Sequence, residues 1–268
     1  MQIVVHDPPL GNLHDRDESG ETPFLSAAKS MGIGNEGWIG PIAIRRNNCK
    51  KLAQIEEFLY LLLNQGCSVQ DSNLYVEIDR PEEFDQLLYD TVLAAAIPHA
   101  SYQMVPRLIA EGADIYARPE GWHGRMPICK GGRVTAMHIA SIYWNLEGMQ
   151  ALIDHPGEPG AAKMVAIVDD AGQTPLHWAL RGERVDRSMD DKNDQDEIIA
   201  HIIRATDLLI NANPDTVNMR DNTGSTVFNY ALMSYVASES IISVIKLLLS
   251  ARPLPYIINA RDNMGDTA

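Results

Sequence analysis

Two histidines, His138 and His177, each stand three residues after a threonine, in Thr135-Ala-Met-His138 and Thr174-Pro-Leu-His177. Imidazoles can bind a metal or act as general bases near neutral pH. No cysteine or carboxylate sits at ligand spacing beside either one, which weighs against a metal pair. His6 and His14 with Asp7 and Asp15 could imitate an acid/base set, but their place near the start suits a poorly ordered segment better. The stretch "DRSMDDKNDQDE" (186–197) holds six acids against two bases. It lacks the Asp-x-Asp-x-Asp-Gly spacing of a calcium loop, so a solvated, mobile loop is expected. "GIGNEG" (32–37) matches a dinucleotide fingerprint by letter only, because no strand precedes it. Cys49, Cys67 and Cys129 are odd in number and form no CxxC pair, as in a reducing interior. No nucleophile, base and orienting group appear together at usable spacing. Catalytic, cofactor and metal residues are therefore all expected to be none.

The elements carrying these residues are repetitive. Asp-x-x-Gly-x-Thr occurs at Asp17–Thr22, Asp169–Thr174, Asp221–Thr226 and Asp262–Thr267. Asp and Gly suit a tight turn, and the following Thr suits a helix cap. Where Pro follows, at Pro23 and Pro175, it occupies the first helical position, where its missing N–H costs nothing. Small and apolar residues come next ("FLSAA", "LHWAL", "FNYAL"), then a second, Leu-rich helix such as "EEFLYLLLNQG" or "ISVIKLLLS". Segments of this kind cannot bury their apolar stripe alone, so they must stack.

With these motifs the chain resembles an ankyrin-repeat protein, whose unit of about 33 residues carries T-P-L-H-x-A, a Leu-rich helix and a G-A-D-V-N tail. Only Thr174–His177 keeps all of TPLH; the unit at Thr91 fits the template without a gap, and that at Thr135 fits through both helices. The resemblance implies an all-α solenoid of stacked helix-turn-helix units with hairpin-like loops and long inserted loops. Five complete units are expected over about 17–70, 86–117, 131–168, 169–220 and 221–260, and a truncated sixth over 261–268. Insertions are expected at about 31–53, 71–85, 118–134 and 183–197. The apolar first insertion is expected to pack on the array through Trp38. It further implies that His138 and His177 bond the backbone of an adjacent hairpin. Gly is missing from the end of every first helix, where Met31, Ala100, Trp144, Glu183 and Tyr235 stand, so extended or irregular helix ends are expected. Pro106 is tolerable only in a first helical turn.

A net charge of −14 over 268 residues opposes a phosphate-backbone partner. No apolar run reaches the roughly 20 residues that span a bilayer, and the first residues lack the features of a signal peptide. A cytoplasmic or nuclear protein with no membrane insertion is expected. By its position in the resembled unit, the concave face is expected to offer Pro98, His99, Ile142, Tyr143, Arg181 and Met233 to a protein partner. The basic stretch 118–133 adds Trp122 and Arg125, either as an interface anchor or as a small satellite core. The function expected is a non-catalytic protein–protein interaction scaffold within a longer chain. Two alternatives stay open: a recognition domain whose enzyme or receptor lies beyond Ala268, and an enzyme with a site in the inserted loops.

Overall fold

The computed structural model describes residues 13–18, 20–31, 41–75, 88–118, 132–181, 192–233, 238–251, 259–265 and 267. These are predominantly helical, and the helices come in pairs: α1 (Pro23–Met31) with α2 (Pro41–Asn64), α3 (Val92–Ala96) with α4 (Met104–Ala110), and α5 (Ala136–Ile142) with α6 (Leu146–Asp154). After a short α7 (Ala161–Met164) come α8 (Pro175–Arg181) with α9 (Lys192–Ala212), a 3₁₀ turn at Pro214–Asn218, and α10 (Val227–Met233) with α11 (Ser238–Ser250).

Each first helix starts on a threonine. The Thr22, Thr91, Thr174 and Thr226 hydroxyls accept from backbone N–H groups three residues on, those of Leu25, Ala94, His177 and Asn229, at 3.1–3.4 Å. That satisfies one of the donors a helix start leaves orphaned. Small residues let these helices lie close: α1 packs on α3, α3 on α5, α5 on α8 and α8 on α10. A second row runs beside it, with α4 on α6, α6 on α9 and α9 on α11. The buried apolar residues form one continuous cluster from Phe24 to Ala251. The second helices of the first two units stop at glycines of positive φ, Gly66 (86°) and Gly112 (99°). There Cys67 and Ala113 donate back to the Leu62 and Leu108 carbonyls, the closure that glycine permits at a helix end. Pro106 is the third residue of α4, inside its first turn.

Several expectations need correction. The insertion at 31–53 is not a loop throughout, because α2 begins at Pro41, a proline in the first helical position. Trp38 lies outside the described residues. The acidic stretch is likewise helical from Lys192 onward, since carboxylates are favourable in the first turn of a helix. The connection at 71–85 opens with a strand: β1 (Ser72–Tyr75) pairs antiparallel with β2 (Leu88–Thr91), Ser72 facing Thr91. Trp144 is neither extended nor irregular. Its φ of 46° is the left-handed value that the missing glycine would have taken.

Candidate partner-binding surface

Successive turns are joined rung by rung. The Asp170 N–H donates to the Gly132 carbonyl (3.1 Å), Asn222 N–H to Ala171 (2.9 Å), and Asn263 N–H to Thr223 (2.9 Å). The amides of Asn222 and Asn263 add a second rung to the carbonyls of Asp170 and Asn222. Within each turn the aspartate folds over its own backbone. Asp169 Oδ1 accepts from Ala171 and Gln173, and Asp221 Oδ1 from Thr223 and Ser225. The other carboxylate oxygen reaches the helix behind, taking Trp178 Nε1–H in one unit and Tyr230 O–H in the next. Burial pushes the Asp169 carboxyl up, against the hydrogen bonds it accepts. The Tyr230 hydroxyl is also pushed up, by burial and then by the Asp221 carboxylate. The tips of these turns, Arg133, Asp170, Asn222 and Asn263, are exposed and lie in a row.

Beneath the tips the histidines act as struts. His138 Nδ1 accepts from the Thr135 N–H at 3.2 Å and lies 2.8 Å from its hydroxyl, while Nε2 reaches the Gln173 carbonyl of the next turn at 3.1 Å. Neutral imidazole with its proton on Nε2 satisfies all three contacts. Burial therefore drives its pKa down to about 3. His177 repeats the arrangement on Thr174, and burial lowers it to about 4. Its Nε2 turns toward the Ser225 carbonyl but falls short of a hydrogen bond. In the last unit Asn229 Oδ1 takes the Nδ1 part, accepting from the Thr226 N–H (2.8 Å) and hydroxyl (2.7 Å). Each of these side chains is thus tied to the backbone of its own cap, and His138 also to the next turn.

Four of the residues expected to face a partner do not. Pro98, His99, Ile142 and Tyr143 are buried, Ile142 to 1 % exposure. His99 and Tyr143 meet edge to face at 5.7 Å. The expectation placed the partner face just before a helix-ending glycine. Here the bulky Trp144 stands in that place and turns inward, its Nε1–H donating to the Ala179 carbonyl at 2.8 Å. Neighbouring Asn145 donates the opposite way, to the Ile97 and Ala100 carbonyls at 2.7 and 2.9 Å. Together they clip the first helices of the units on either side, and the segment between them is sequestered. Sequence reasoning passed over Asn145; a buried-turn amide directly after a non-glycine helix end was the available signal.

Arg181 is half-buried at the end of α8, its Nη1 donating to Gln173 Oε1 at 3.3 Å. Met233 ends α10 and is 74 % exposed. Trp122 and Arg125, like Cys129 and the glycines at 32–37, lie outside the described residues. Cys49 is exposed on α2 and Cys67 buried; burial, then Asp71, pushes the Cys67 thiol up, the wrong direction for a reactive thiolate. Among the described residues no group of three His, Cys, Asp or Glu is placed to hold a metal ion. None of their helices is long and apolar enough to cross a membrane. The chain matches no model of a known protein family and no curated protein in sequence.

Proposed function

We propose that this chain is an ankyrin-like repeat array that serves as a non-catalytic protein–protein interaction scaffold. Its partner surface runs along the turn tips, with half-buried Arg181 and exposed Met233, at the ends of α8 and α10, as further contacts. Trp122 and Arg125 of the basic stretch 118–133 are added from the sequence alone as further candidates for partner contact. The observation that carries this reading is the ladder of turns from Gly132 to Asn263, in which the backbone is bonded within and between units while the tips stay exposed. A surface already fixed loses little conformational entropy when a partner docks. The excess negative charge suits a partner of neutral or basic surface.

The test is affinity capture from the native cell with the wild-type chain, the Arg181→Glu/Met233→Glu variant, and a chain lacking 118–134. Loss of the same protein from the first variant, with an unchanged melting temperature, supports the surface. A protein retained equally by all three, or none retained by the wild type, rejects it.

A further inference from the structure

Two of the second helices are much longer than the ones between them. α2 has 24 residues and α9 has 21, against 7 for α4 and 9 for α6. As helix these run about 36, 32, 11 and 14 Å. Their register places the excess. Glu56 accepts from the Ser101 N–H at 3.4 Å and from its hydroxyl, and Asn64 Oδ1 accepts from Arg107 at 3.2 Å. Residues 56–64 therefore run alongside 101–107, and α2 before Glu56 extends past the start of α4. Asn213, just after α9, donates to the Ala162 carbonyl at 2.8 Å. The end of α9 thus lies beside the segment that follows α6, and its excess too lies at its start. Across the two units between them, α2 and α9 touch.

The two starts carry opposite charge. Residues 41–55 hold Arg45, Arg46, Lys50 and Lys51 and no acid, in a chain of net charge −14. Residues 192–203 hold Asp194, Asp196 and Glu197 against Lys192, the helical part of the acidic stretch. Lys50, Lys51 and Asp196 are exposed. Both helices also have an apolar side turned inward: Ile198 and Ile202, one turn apart, are buried, and Leu52 and Ile55 are half-buried against the same core. The excess lengths lie where α3 and α5 end and α4 and α6 begin. The turns there are buried although they are connections between helices, at Pro98, His99 and Ala100 in the second unit and at Tyr143 and Asn145 in the third.

We infer that α2 and α9 form a clasp across the second and third units, held by the attraction of 45–51 for 194–197. Closed, it covers the turns at 98–100 and 143–145; when its charges are screened it opens and uncovers them. Charges at a protein surface are screened within about 10 Å at 0.1 M salt and about 3 Å at 1 M, so ionic strength is the signal that releases it. Exposed pairs are individually weak, which suits a contact that parts without unfolding the units beneath. Those units keep their own caps and rungs. The clasp lies at the opposite ends of the first helices from the turn tips, so the inference does not rest on the partner surface proposed above.

The experiment is hydrogen exchange of the full chain, read in the first halves of α2 and α9 and in the turns at 98–101 and 143–145, with α10 as internal control. Wild type is expected to exchange about fivefold faster in these segments at about 1 M than at about 0.1 M sodium chloride, the size that losing two exposed pairs produces, with α10 unchanged. Lys50→Glu/Lys51→Glu and Asp194→Lys/Asp196→Lys are each expected to show the fast rate without added salt. The variant carrying all four substitutions, which exchanges the two sets of charge, is expected to return to the slow one. A wild type indifferent to salt overturns the inference. So does either reversal that leaves the rates as they were, or a charge exchange no slower than the reversals. The milder Lys50→Gln/Lys51→Gln removes attraction without adding repulsion. It is expected to lie between wild type and the reversals, and a rate equal to wild type overturns the inference where a reversal unfolds α2.

Discussion

The two halves of the array are joined by different chemistry. From Thr135 onward, a polar side chain three residues after each capping threonine (His138, His177, Asn229) ties the cap, and His138 continues into the next turn. In the first two units that place is held by Leu25 and Ala94, both buried and apolar. There the second unit has no Asp-x-x-Gly turn, and the antiparallel pair β1–β2 takes its place. Arg16 braces that pair, donating to the Ser72 carbonyl at 2.9 Å, and the Thr22 hydroxyl reaches Asp71 at 2.8 Å. One repeating helix packing is thus compatible with two sets of joints. An apolar joint is indifferent to pH, whereas a neutral buried imidazole is not.

That difference gives the largest expected effect. The histidine pKa values fall from 6.5 to about 3 for His138 and about 4 for His177 on folding. Above pH 6.5 both are neutral in either state and cost nothing. As the pH drops below that value the unfolded chain takes up protons that the folded chain refuses, so stability falls until the folded pKa values are reached. Two such groups weaken the fold by on the order of 5 kcal/mol between pH 7 and pH 4. Asp169, pushed up by burial, runs the other way and offsets part of this below its folded pKa. Urea unfolding across this range measures the slope. His138→Asn with His177→Asn, which imitate Asn229, should flatten it; an equally steep slope in the double variant would place the acid sensitivity elsewhere.

Next in size is the junction at the end of α5, where the third unit is tied to its neighbours. Trp144 is 2 % exposed and holds Ala179 from a left-handed backbone. Trp144→Ala should cost about 3–5 kcal/mol in chemical unfolding. Trp144→Gly removes the same side chain yet suits the backbone, and should be about 1 kcal/mol more stable than the alanine variant. Equal stabilities for the two would mean that the positive φ carries no strain.

How much of this the sequence discloses follows from what each signal encodes. The threonine caps and the turn aspartates are legible because their hydrogen bonds are local, closing within three or four residues. The surface is less so. Ile142 and Tyr143 look available by position, but their burial is decided by Trp144 and Asn145 reaching units 35 and 45–48 residues away. No periodicity reports such reach. The extents of α2 and α9 escape for another reason: Pro41 and the acids of 194–197 resemble loop residues, although both are also good residues for beginning a helix. The strand pairing of 72–75 with 88–91 carries no turn signature in the residues between.

Asn145 allows the junction to be probed from its other side. Its amide satisfies two carbonyls of the second unit, and Gly148 leaves it room: a Cβ there would lie 2.5 Å from the amide nitrogen. Asn145→Ala leaves the Ile97 and Ala100 carbonyls buried without these donors, a loss of about 2 kcal/mol. Gly148→Ala should displace the same amide and cost a similar amount. Hydrogen exchange should show the loss in α3 before α8, because Asn145 points to the earlier unit and Trp144 to the later one. Even loosening of both helices would refute this division of labour.

A last pair of variants separates position within the ladder from backbone strain. Gly172 and Gly265 both have positive φ, 77° and 91°, so alanine at either is strained by about 1 kcal/mol. They differ in what the new methyl meets. At Gly172 it would lie 2.5 Å from Asn222 Oδ1 and 2.8 Å from the Asn222 backbone nitrogen, the donor of the next rung. The backbone nitrogen cannot rotate away, so the rung itself must open, adding about 1–3 kcal/mol. At Gly265 there is nothing to displace. Thermal unfolding of Gly172→Ala and Gly265→Ala should therefore differ by the value of one rung. That difference, compared with the loss on replacing His138, measures whether the later units are held mainly by their turns or by their imidazoles.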